Sequence, residues 1–372
     1  MNRLKLTTIV GTRPELIKLS EVIKLVTRCF DHTLIHTGQN YDPALNDVFF
    51  EGLKLPKPDY YMSAPGEHLG ETVGNIISKS YVLLRDTMPD AILILGDTNS
   101  ALSAISAKRL KIPIFHMEAG NRCFDENLPE EINRRMVDHI SDVNLAYTEH
   151  ARRYLLAENL RPEHVFVTGS PMPEVLRVNA GQPTDVLKKL NLQPQQYFLL
   201  SAHREENIDI EDNFFSLMKG INTLAEKYGL PIIYSLHPRS EVFIERRGFV
   251  FNPLVQKMTP FGFNDYIALQ QNAFCVLSDS GTLAEESSLL HFPAVSLRTS
   301  TERPEAVDKG SFVVGGIDSA SVLQAVELAV TLKDVVSPDI PDYTDDNVAS
   351  KVVKIIQGYT GIINDRVWRK RA

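Results

Sequence analysis

The sequence of 372 residues predicts an α/β protein whose parallel sheets are covered by helices on both faces. Two observations favour this class: short apolar segments alternate with helix-like segments, and the alternation starts twice along the chain. A composition of 43% hydrophobic and 23% charged residues is typical of a globular protein, and the length suffices for two domains with separate cores. We therefore expect two similar α/β halves that face one another across a cleft.

The first half shows the alternation most clearly. Residues 4–10 form the first predicted strand, and a helix is expected to follow Pro14. Further strands of the same apolar kind are predicted at residues 32–36, 91–96 and 112–116, with a helix at residues 98–110 between the last two. Polar motifs directly follow three of these strands, at residues 11–15, 96–100 and 116–122. Because ligands bind beyond the carboxyl ends of parallel strands, we expect these motifs to share one site.

The second half repeats the pattern after residue 170. Its predicted strands lie at residues 197–201, 231–236, 275–278 and 294–297. A polar, turn-rich segment at residues 181–184 agrees with a boundary near residue 170, which gives domains 1–170 and 171–357. A last helical piece at residues 349–357 leads to a basic end, and we expect residues 358–372 to pack back on the first domain.

Charge and cysteine content exclude several classes of function. A net charge of −8 argues against a nucleic-acid-binding surface and leaves a small molecule as the expected ligand. Three scattered cysteines, Cys29, Cys123 and Cys275, form neither a disulfide framework nor a zinc pattern, which favours the cytoplasm. No apolar run is long enough for a membrane span or a signal peptide. No phosphate-binding P-loop or dinucleotide fingerprint is present, so no cofactor and no metal are predicted.

The polar motifs of the first half contain candidate ligand-binding and catalytic side chains. Arg13 and Lys18 stand at the start of a helix, where they can hold an anion, although a charged, capped surface helix has the same composition. Asp97 follows a strand, so it either moves protons or binds hydroxyls, or else Asp97 or Thr98 caps the next helix.

The densest cluster of charge joins residues 116–122 (HMEAGNR) to residues 129–134 (PEEINR). The two motifs are predicted to lie at a strand-to-loop-to-helix junction, where side chains from both ends converge. The cluster contains three acids, Glu118, Glu130 and Glu131, which is the composition of an acidic active site.

The second half has three motifs of its own. His203 and Arg204 follow a strand, and an imidazole and a guanidinium there suit acid–base chemistry and phosphate binding, unless the loop is merely solvated. His237 is also at a strand end, where a lone histidine is often structural. Ser280 and Gly281 precede a helix that carries Glu286, a pattern that suits a phosphate and a ribose but also an ordinary helix cap; these three residues are therefore candidate nucleotide ligands.

With these residues assembled, the chain resembles the non-hydrolysing UDP-N-acetylglucosamine 2-epimerase family over nearly its whole length. The motifs that carry the resemblance lie at residues 11–15, 96–98, 118–120, 129–134, 203–207, 279–281, 285–286 and 301–305. The resemblance implies two Rossmann-like domains in the GT-B arrangement, a nucleotide held mainly by the second domain, and a homodimer.

Three departures from the common family pattern point to one branch. Asn121 stands where the usual enzymes have leucine, the loop at residues 123–128 is compact, and Thr282 replaces a second glycine. Together with residues 37–42, these resemble the branch that acts on 6-deoxy sugars in capsule and O-antigen pathways. The implied partner is a UDP-activated 6-deoxy-N-acetylhexosamine. The branch converts UDP-2-acetamido-2,6-dideoxy-L-talose to UDP-N-acetyl-L-fucosamine, or the rhamnose-configured sugar to its quinovosamine epimer.

The resemblance also implies a mechanism. Because H2 of the sugar is not beside a carbonyl, a base removes it while the C1–O bond to UDP breaks, and UDP then adds back to the 2-acetamidoglycal. Two acid–base groups on opposite faces of the ring are needed, and a redox cofactor is not. The implied catalytic residues are Asp97, Glu118, Glu130 and His203. The implied ligands of the UDP-sugar are Arg13, Lys18, Arg204, His237, Ser280, Gly281 and Glu286.

Four alternatives stay open at this stage. The first is an enzyme that converts UDP-N-acetylglucosamine to UDP-N-acetylmannosamine, which the chain also resembles. The other three are a GT-B glycosyltransferase, a hydrolysing epimerase and a non-catalytic nucleotide-sugar sensor, each of which would also bind a nucleotide sugar. Some members of the family bind a second UDP-sugar as an activator. Gln39, Arg204 and His237 are the residues expected at such a site.

Overall fold

The computed structural model describes residues 3–38, 50–179 and 184–370. The chain divides into two compact units, residues 1–178 with 341–372, and residues 179–340. The sequence placed the boundary near residue 170 and the return of the chain at residue 358. The first unit instead keeps residues 171–178 and takes the chain back from residue 341 onward.

The first unit contains one parallel sheet of seven strands. Its strands are β1 Lys5–Val10, β2 Asp31–His36, β3 Tyr60–Tyr61, β4 Ala91–Leu95, β5 Ile114–Ala119, β6 Val143–Ala146 and β7 Val165–Val167. They are ordered β3-β2-β1-β4-β5-β6-β7. The helices that cover this sheet before the second unit begins are α1 Arg13–Cys29, α2 Leu69–Thr87, α3 Ser103–Arg109, α4 Pro129–Ile140, α5 Glu149–Ala157 and α6 Met172–Asn179.

The second unit contains a parallel sheet of six strands. These are β8 Phe198–Ser201, β9 Ile232–Ser235, β10 Val255–Met258, β11 Cys275–Ser278, β12 Ala294–Ser296 and β13 Val313–Val314. Their order is β10-β9-β8-β11-β12-β13. The remaining helices are α7 Val186–Lys189, α8 Glu205–Ile208, α9 Glu211–Tyr228, α10 Pro238–Arg247, α11 Phe263–Asn272, α12 Leu283–Leu290, α13 Pro304–Asp308, α14 Ser319–Thr331 and α15 Val348–Arg366. The last of these, α15, belongs to the first unit and packs on α1.

Each sheet has its own apolar core, which confirms the predicted α/β class with two parallel sheets. Strand β4 is buried at every position, as expected for a central parallel strand covered on both faces. Ile9, Ile92 and Ile94 contribute to the first core. Phe198 and Leu277 belong to the second, which is closed by α9 and α14. The strand orders of both sheets, in which the first strand of each unit lies between its second and fourth, are those expected of Rossmann-like units.

Two predicted elements differ from the structure in ways that matter for the site. The strand predicted at residues 112–116 runs instead from Ile114 to Ala119, so Glu118 is part of the strand and does not belong to the following loop. The helix predicted at residues 98–110 begins as a 3₁₀ turn, Asn99–Leu102, and becomes α-helical only at Ser103. In both places polar side chains obscure the end of a regular element.

Among the described residues, no helix combines the length and apolar character that a membrane span would need.

Candidate active site

Glu118 and Lys18 form a buried ion pair at the carboxyl end of the first sheet. The Lys18 Nζ lies 2.9 Å from Oε1 and 2.8 Å from Oε2 of Glu118. Both side chains are more than nine-tenths buried. The sequence predicted Lys18 as a phosphate ligand and Glu118 as an acid, and the structure brings the two together.

The backbone around Glu118 is strained. Glu118 has a φ of +64°, which is uncommon outside glycine, and the register of β5 against β6 shifts between Met117 and Ala119. Gly120 follows with a φ of +83°, and a Cβ there would come 2.4 Å from the carbonyl oxygen of Ala151. Strain of this kind persists only where the surroundings hold it, and it clusters at functional sites.

Asp138 on α4 holds this turn in place. It is fully buried and accepts hydrogen bonds from the Gly120 N–H, at 3.1 Å, and from Nη1 of Arg122, at 2.7 Å. Nδ1 of His116 lies 2.9 Å from its other oxygen, and Nε2 of the same ring donates to the Gly96 carbonyl at 2.8 Å. Burial alone would raise the pKa of Asp138, but His116 and Arg122 outweigh it and hold the pKa below the usual value.

Asp97 is held by an arginine of α4. Its carboxylate pairs with Nη2 of Arg134, and its backbone carbonyl accepts a hydrogen bond from Nδ2 of Asn133 at 3.0 Å. The cap of the following 3₁₀ turn is Thr98, whose hydroxyl accepts from the Ser100 N–H. Of the two roles left open by the sequence, capping therefore falls to Thr98, and the Asp97 side chain, 20% exposed, faces Arg134.

The adjacent acids Glu130 and Glu131 differ in their surroundings. Glu131 is fully buried, and its Oε2 accepts from the Cys123 N–H at 3.1 Å and from Nη1 of Arg134 at 2.6 Å. Glu130 is half-buried in the first turn of α4. Glu131 thus serves to hold the loop, which leaves Glu130 as the candidate for contact with a ligand.

Glu15 is a buried acid at the same edge of the sheet that the sequence did not single out. Its Oε2 accepts hydrogen bonds from the Gly11 N–H, at 3.1 Å, and from the Thr12 hydroxyl, at 2.7 Å. Burial raises the pKa of Glu15 to about 7. Gly11 is required beside it, since a Cβ there would lie 1.9 Å from the Ser100 Oγ. Arg13 is half-buried at the first residue of α1.

In the second unit, Asp279 organises the loop after β8. It is fully buried and accepts the backbone N–H groups of His203, at 2.8 Å, and Arg204, at 2.9 Å. Its other oxygen lies 3.1 Å from Nδ1 of His203. Burial would raise the pKa of Asp279, yet the charge of His203 and these donors hold it well below the usual range. Loss of hydration would lower the pKa of His203, but the Asp279 charge raises it above the ordinary value.

The turn before α12 has the compact form expected of a ligand-binding loop. The Ser280 hydroxyl lies 3.0 Å from that of Thr282. At Gly281 a Cβ would come 2.5 Å from Oε1 of Glu302, so a side chain there would displace that carboxylate. Thr282 has a φ of −71°, so the position occupied by a second glycine in the usual pattern has no need of one here. Glu286 is buried and accepts from Nε2 of Gln270 at 2.6 Å.

Arg204 and His237 have weaker or more structural surroundings. Nη2 of Arg204 is 3.9 Å from Glu302, whose other oxygen pairs with Arg298 at 2.7 Å. The His237 side chain caps α10 by accepting from the Arg239 N–H at 3.2 Å, and its ring centroid lies 5.9 Å from that of His203. Gln39, expected at an activator site, lies outside the described residues.

The sequence named most of the charged side chains at these two edges but missed those that hold them. Asp138 carried one usable signal: residues 131, 134 and 138 share a helix face by their spacing, and all three are buried. Glu15 gave no such signal, because its burial depends on contacts distant in sequence. No group of three or more potential metal ligands is present in the described part of the chain.

Comparison with known proteins agrees with this geometry. Residues 24–357 match the family model described as UDP-N-acetylglucosamine 2-epimerase. The UDP-N-acetylglucosamine 2-epimerase of Methanocaldococcus jannaschii is 36% identical over 341 residues, covering 89% of this chain and 93% of that protein. The UDP-2,3-diacetamido-2,3-dideoxy-D-glucuronate 2-epimerase of Pseudomonas aeruginosa is 32% identical, covering 89% of this chain and 94% of that protein.

A solved structure gives the same result. That of UDP-N-acetylglucosamine 2-epimerase from Rickettsia bellii has a TM-score of 0.92 at 45% identity, covering 99% of this chain and 100% of that one. The chain therefore belongs to the UDP-N-acetylglucosamine 2-epimerase family and is a non-hydrolysing UDP-sugar 2-epimerase.

Proposed function

We propose that this epimerase acts on a UDP-2-acetamido-2,6-dideoxy-L-hexose, either from L-talo to L-fuco or from L-rhamno to L-quinovo. The observation that carries the proposal is Asn121. It is buried, and its Nδ2 lies 3.5 Å from Oε1 of Glu118, at a position where the usual pattern has leucine. An amide there changes the hydrogen bonding offered beside the candidate base, where the sugar ring would bind.

The loop that follows Asn121 supports the same branch. The Cys123 N–H donates to Glu131, and its thiol lies 3.3 Å from the same oxygen. The compact loop is therefore fixed to the start of α4 by Glu131. Its shape differs from the longer loop of the usual pattern, which is the second reason to expect a different sugar.

The proposed chemistry is elimination followed by addition. A carboxylate removes the proton at C2 while the electrons of that C–H bond form the C1–C2 double bond and the C1–O bond breaks toward UDP. UDP then adds back at C1, and C2 receives a proton on the opposite face. Glu118 and Glu130 serve the two faces, with Asp97 assisting proton transfer; paired carboxylates of unlike environment suit such division of roles.

The departing diphosphate requires positive charge and hydrogen-bond donors. In this proposal Arg13 and Arg204 stabilise the developing charge, and His203, whose pKa is raised by the Asp279 charge, adds to it when protonated. Ser280 and Gly281 offer donors to the phosphates, and Glu286 accepts from the ribose hydroxyls. Lys18 is assigned to Glu118 rather than to phosphate, because both carboxylate oxygens lie within 2.9 Å of its ammonium.

The proposal is tested with a panel of UDP-6-deoxy-L-sugars and UDP-N-acetylglucosamine in deuterated water, followed by NMR of the recovered nucleotide sugars. We expect a 6-deoxy-L-sugar to be inverted at C2 with deuterium from solvent at that carbon. Turnover without deuterium at C2 would rule out the mechanism. Inversion of UDP-N-acetylglucosamine alone would leave the mechanism standing and replace the substrate.

UDP-N-acetylglucosamine is the second candidate, and a specific finding favours it. The relatives from Methanocaldococcus jannaschii and Rickettsia bellii carry that substrate in their names, at 36% and 45% identity. The two candidates are separated by the ratio of kcat/KM for the two sugars. If the Asn121 amide contacts the sugar, the variant Asn121→Leu should lower the ratio of kcat/KM in favour of the 6-deoxy sugar.

A homodimer also belongs to this proposal. Apolar side chains are exposed on α2 and α4, among them Tyr81 at 41%, Ile132 at 47% and Met136 at 42%. Light scattering on the eluting protein should give twice the mass of 41.8 kDa, and Met136→Glu should reduce it toward one chain.

A further inference from the structure

His116 is a buried side chain of the first sheet that has no part in the proposed proton transfers. The ring is fully buried, so it cannot contact a ligand directly, and any effect on the reaction must pass through its neighbours. In the sheet it pairs with Ile94 of β4 on one side and with Asn144 of β6 on the other. It therefore lies on the strand that contains Glu118 and beside the strand that leads to Asp97.

One ring nitrogen holds the turn that leads into Asp97. Nε2 of His116 lies 2.8 Å from the Gly96 carbonyl oxygen, and because a carbonyl only accepts, this nitrogen carries a proton. The Gly96 N–H donates to the Met117 carbonyl at 2.9 Å. Gly96 has a φ of +70° and the conformational freedom of a glycine, which these two contacts remove. Since its carbonyl shares a rigid peptide plane with the Asp97 N–H, the ring sets the direction in which the chain enters Asp97.

The other ring nitrogen lies against the acid that holds the turn after Glu118. Nδ1 of His116 is 2.9 Å from Oδ1 of Asp138. Oδ2 of the same carboxylate accepts the Gly120 N–H at 3.1 Å. Gly120 ends the strained segment that begins at Glu118, where both residues have a positive φ. The imidazole thus stands between the carbonyl before Asp97 and the carboxylate that holds the turn after Glu118.

The two turns that meet at this ring are also close to each other. A Cβ on Gly96 would lie 3.6 Å from Oε2 of Glu118, so the backbone that leads to Asp97 passes directly beside the Glu118 carboxylate. Rotation of the peptide between Gly96 and Asp97 would therefore change the separation of the two acids. Catalysis is sensitive to such geometry, because a misplacement of about 1 Å can lower a rate about 100-fold.

We propose that His116 is a positioning residue of the epimerase, which sets the separation of the Asp97 and Glu118 carboxylates by bridging Gly96 and Asp138. The inference rests on the proposed roles of Asp97 and Glu118 in proton transfer, and it adds a residue that does not touch the substrate. Phenylalanine would keep the shape of the ring but offer no donor. Glutamine offers its donors from a single nitrogen, so it would keep one of the two contacts.

The test compares His116→Phe and His116→Gln with the wild type on whichever UDP-sugar of the panel is turned over. We expect kcat to fall about 100-fold in His116→Phe and about tenfold in His116→Gln. KM and the Kd for UDP, measured by calorimetry, should stay within about threefold of the wild type, because the effect lies in the reacting complex. Free UDP and 2-acetamidoglycal released per inversion should increase, since the intermediate waits longer for its proton.

The matched control is His32→Gln in the neighbouring strand β2 of the same sheet. The His32 ring also has a contact at each nitrogen, at 2.8 Å to the Thr8 hydroxyl and at 2.9 Å to that of Thr27. It lies at the start of β2, away from the edge of the sheet where the acids stand. We therefore expect His32→Gln to leave kcat and the release of the glycal unchanged.

Two results would overturn the inference. One is a kcat within about threefold of the wild type in a folded His116 variant, with His116→Gln deciding if His116→Phe does not fold. The other is a parallel loss of kcat and of UDP affinity, which would indicate general damage to the unit. Glu118→Gln in the same assay separates this inference from the proposed function. If Glu118→Gln is inactive while the His116 variants are fully active, the proposed function stands and the role of His116 is wrong. A fully active Glu118→Gln would remove both.

Discussion

Three acids at the carboxyl ends of the two sheets, two in the first unit and one in the second, are held in different ways. In the first unit, Glu118 meets the ammonium of Lys18 and Asp97 meets the guanidinium of Arg134, so each acid is a charge held by another charge. In the second unit, Asp279 is directed at the backbone N–H groups that follow β8. The ion pairs of the first unit fix the positions of two carboxylates. The hydrogen bonds of Asp279 fix the conformation of the loop after β8.

In the proposed mechanism the two units have different roles. Glu118 and Asp97 of the first unit exchange protons with the ligand, as an epimerisation at C2 requires. In the second unit Glu285 is paired with Arg303 and Glu302 with Arg298, so these acids are neutralised by cations of the same unit. In the proposed mechanism, hydroxyls and N–H groups of this unit bind the diphosphate together with Arg204, whose guanidinium suits phosphate oxygens.

The largest expected effect comes from removing the charge of Glu118, and with it the ion pair to Lys18. Glu118→Gln keeps the shape of the side chain but removes the base, so kcat should fall about 1,000-fold, within the usual range for a general acid–base group. Glu126→Gln, in the following loop and 75% exposed, is the matched control and should change kcat little. Steady-state rates measured by NMR give kcat for both variants. A decrease in kcat of less than tenfold for Glu118→Gln would show that Glu118 is not the base.

The second effect concerns stability in the first unit. The pKa of Glu15 is raised from 4.5 to about 7 by burial, so the folded state holds its proton more tightly than the unfolded state does. The free energy of unfolding should therefore fall by about 3 kcal/mol as pH rises from about 4.5 to about 7. Glu15→Gln should lack this decline.

Urea unfolding of both proteins at several pH values between 4.5 and 8 measures the difference. Glu21→Gln, on the same helix and paired with Lys24, is the control and should retain the decline. Parallel pH dependence of Glu15→Gln and the wild type would show that Glu15 titrates normally.

The third effect tests the loop of the second unit. Asp279→Asn keeps an oxygen for the N–H groups of His203 and Arg204 but removes the charge beside His203. The pKa of His203 should fall, and at neutral pH the affinity for UDP should drop about tenfold, equivalent to about 1.4 kcal/mol. Histidine NMR signals and calorimetry measure the two changes, with the exposed Asp334→Asn as control.

The smallest effect separates capping from ligand binding at His237. His237→Ala should cost about 1 kcal/mol through loss of the α10 cap, and His237→Ser should restore most of it because serine is a good cap. We expect KM to be unchanged in His237→Ser. A rise in KM would return His237 to the ligand-binding residues that the sequence predicted.

Much of the fold could be read from apolar runs, because central parallel strands such as β4 are buried at every residue. The short outer strands could not be predicted in this way. Strand β10 is Val-Gln-Lys-Met with two exposed side chains, so its pattern does not differ from that of a loop. The predicted end of β5, at residue 116, was too early for a related reason. The strand continues to Ala119 and includes the charged Glu118 near its end.

The same limit applies to the site. Asp97, Glu118 and His203 could be named as candidates because each lies within two residues of the end of an apolar strand. Their partners could not, because the contact of Asp97 with Arg134, or of Glu118 with Lys18, joins residues 37 and 100 positions apart. A single sequence specifies which charges exist, but the fold decides which of them pair.

The path of the chain has a consequence for synthesis on the ribosome. The second unit is one uninterrupted stretch, residues 179–340, whereas the first unit is completed only by residues 341–372. Helix α15 packs on α1, and the Ala349 N–H donates to Glu174 at 2.9 Å. The later-made unit can therefore reach its native state first, while the earlier-made one waits with the face of α1 uncovered. A nascent chain stalled before residue 341 should hold a folded second unit and an unfinished, chaperone-accessible first unit.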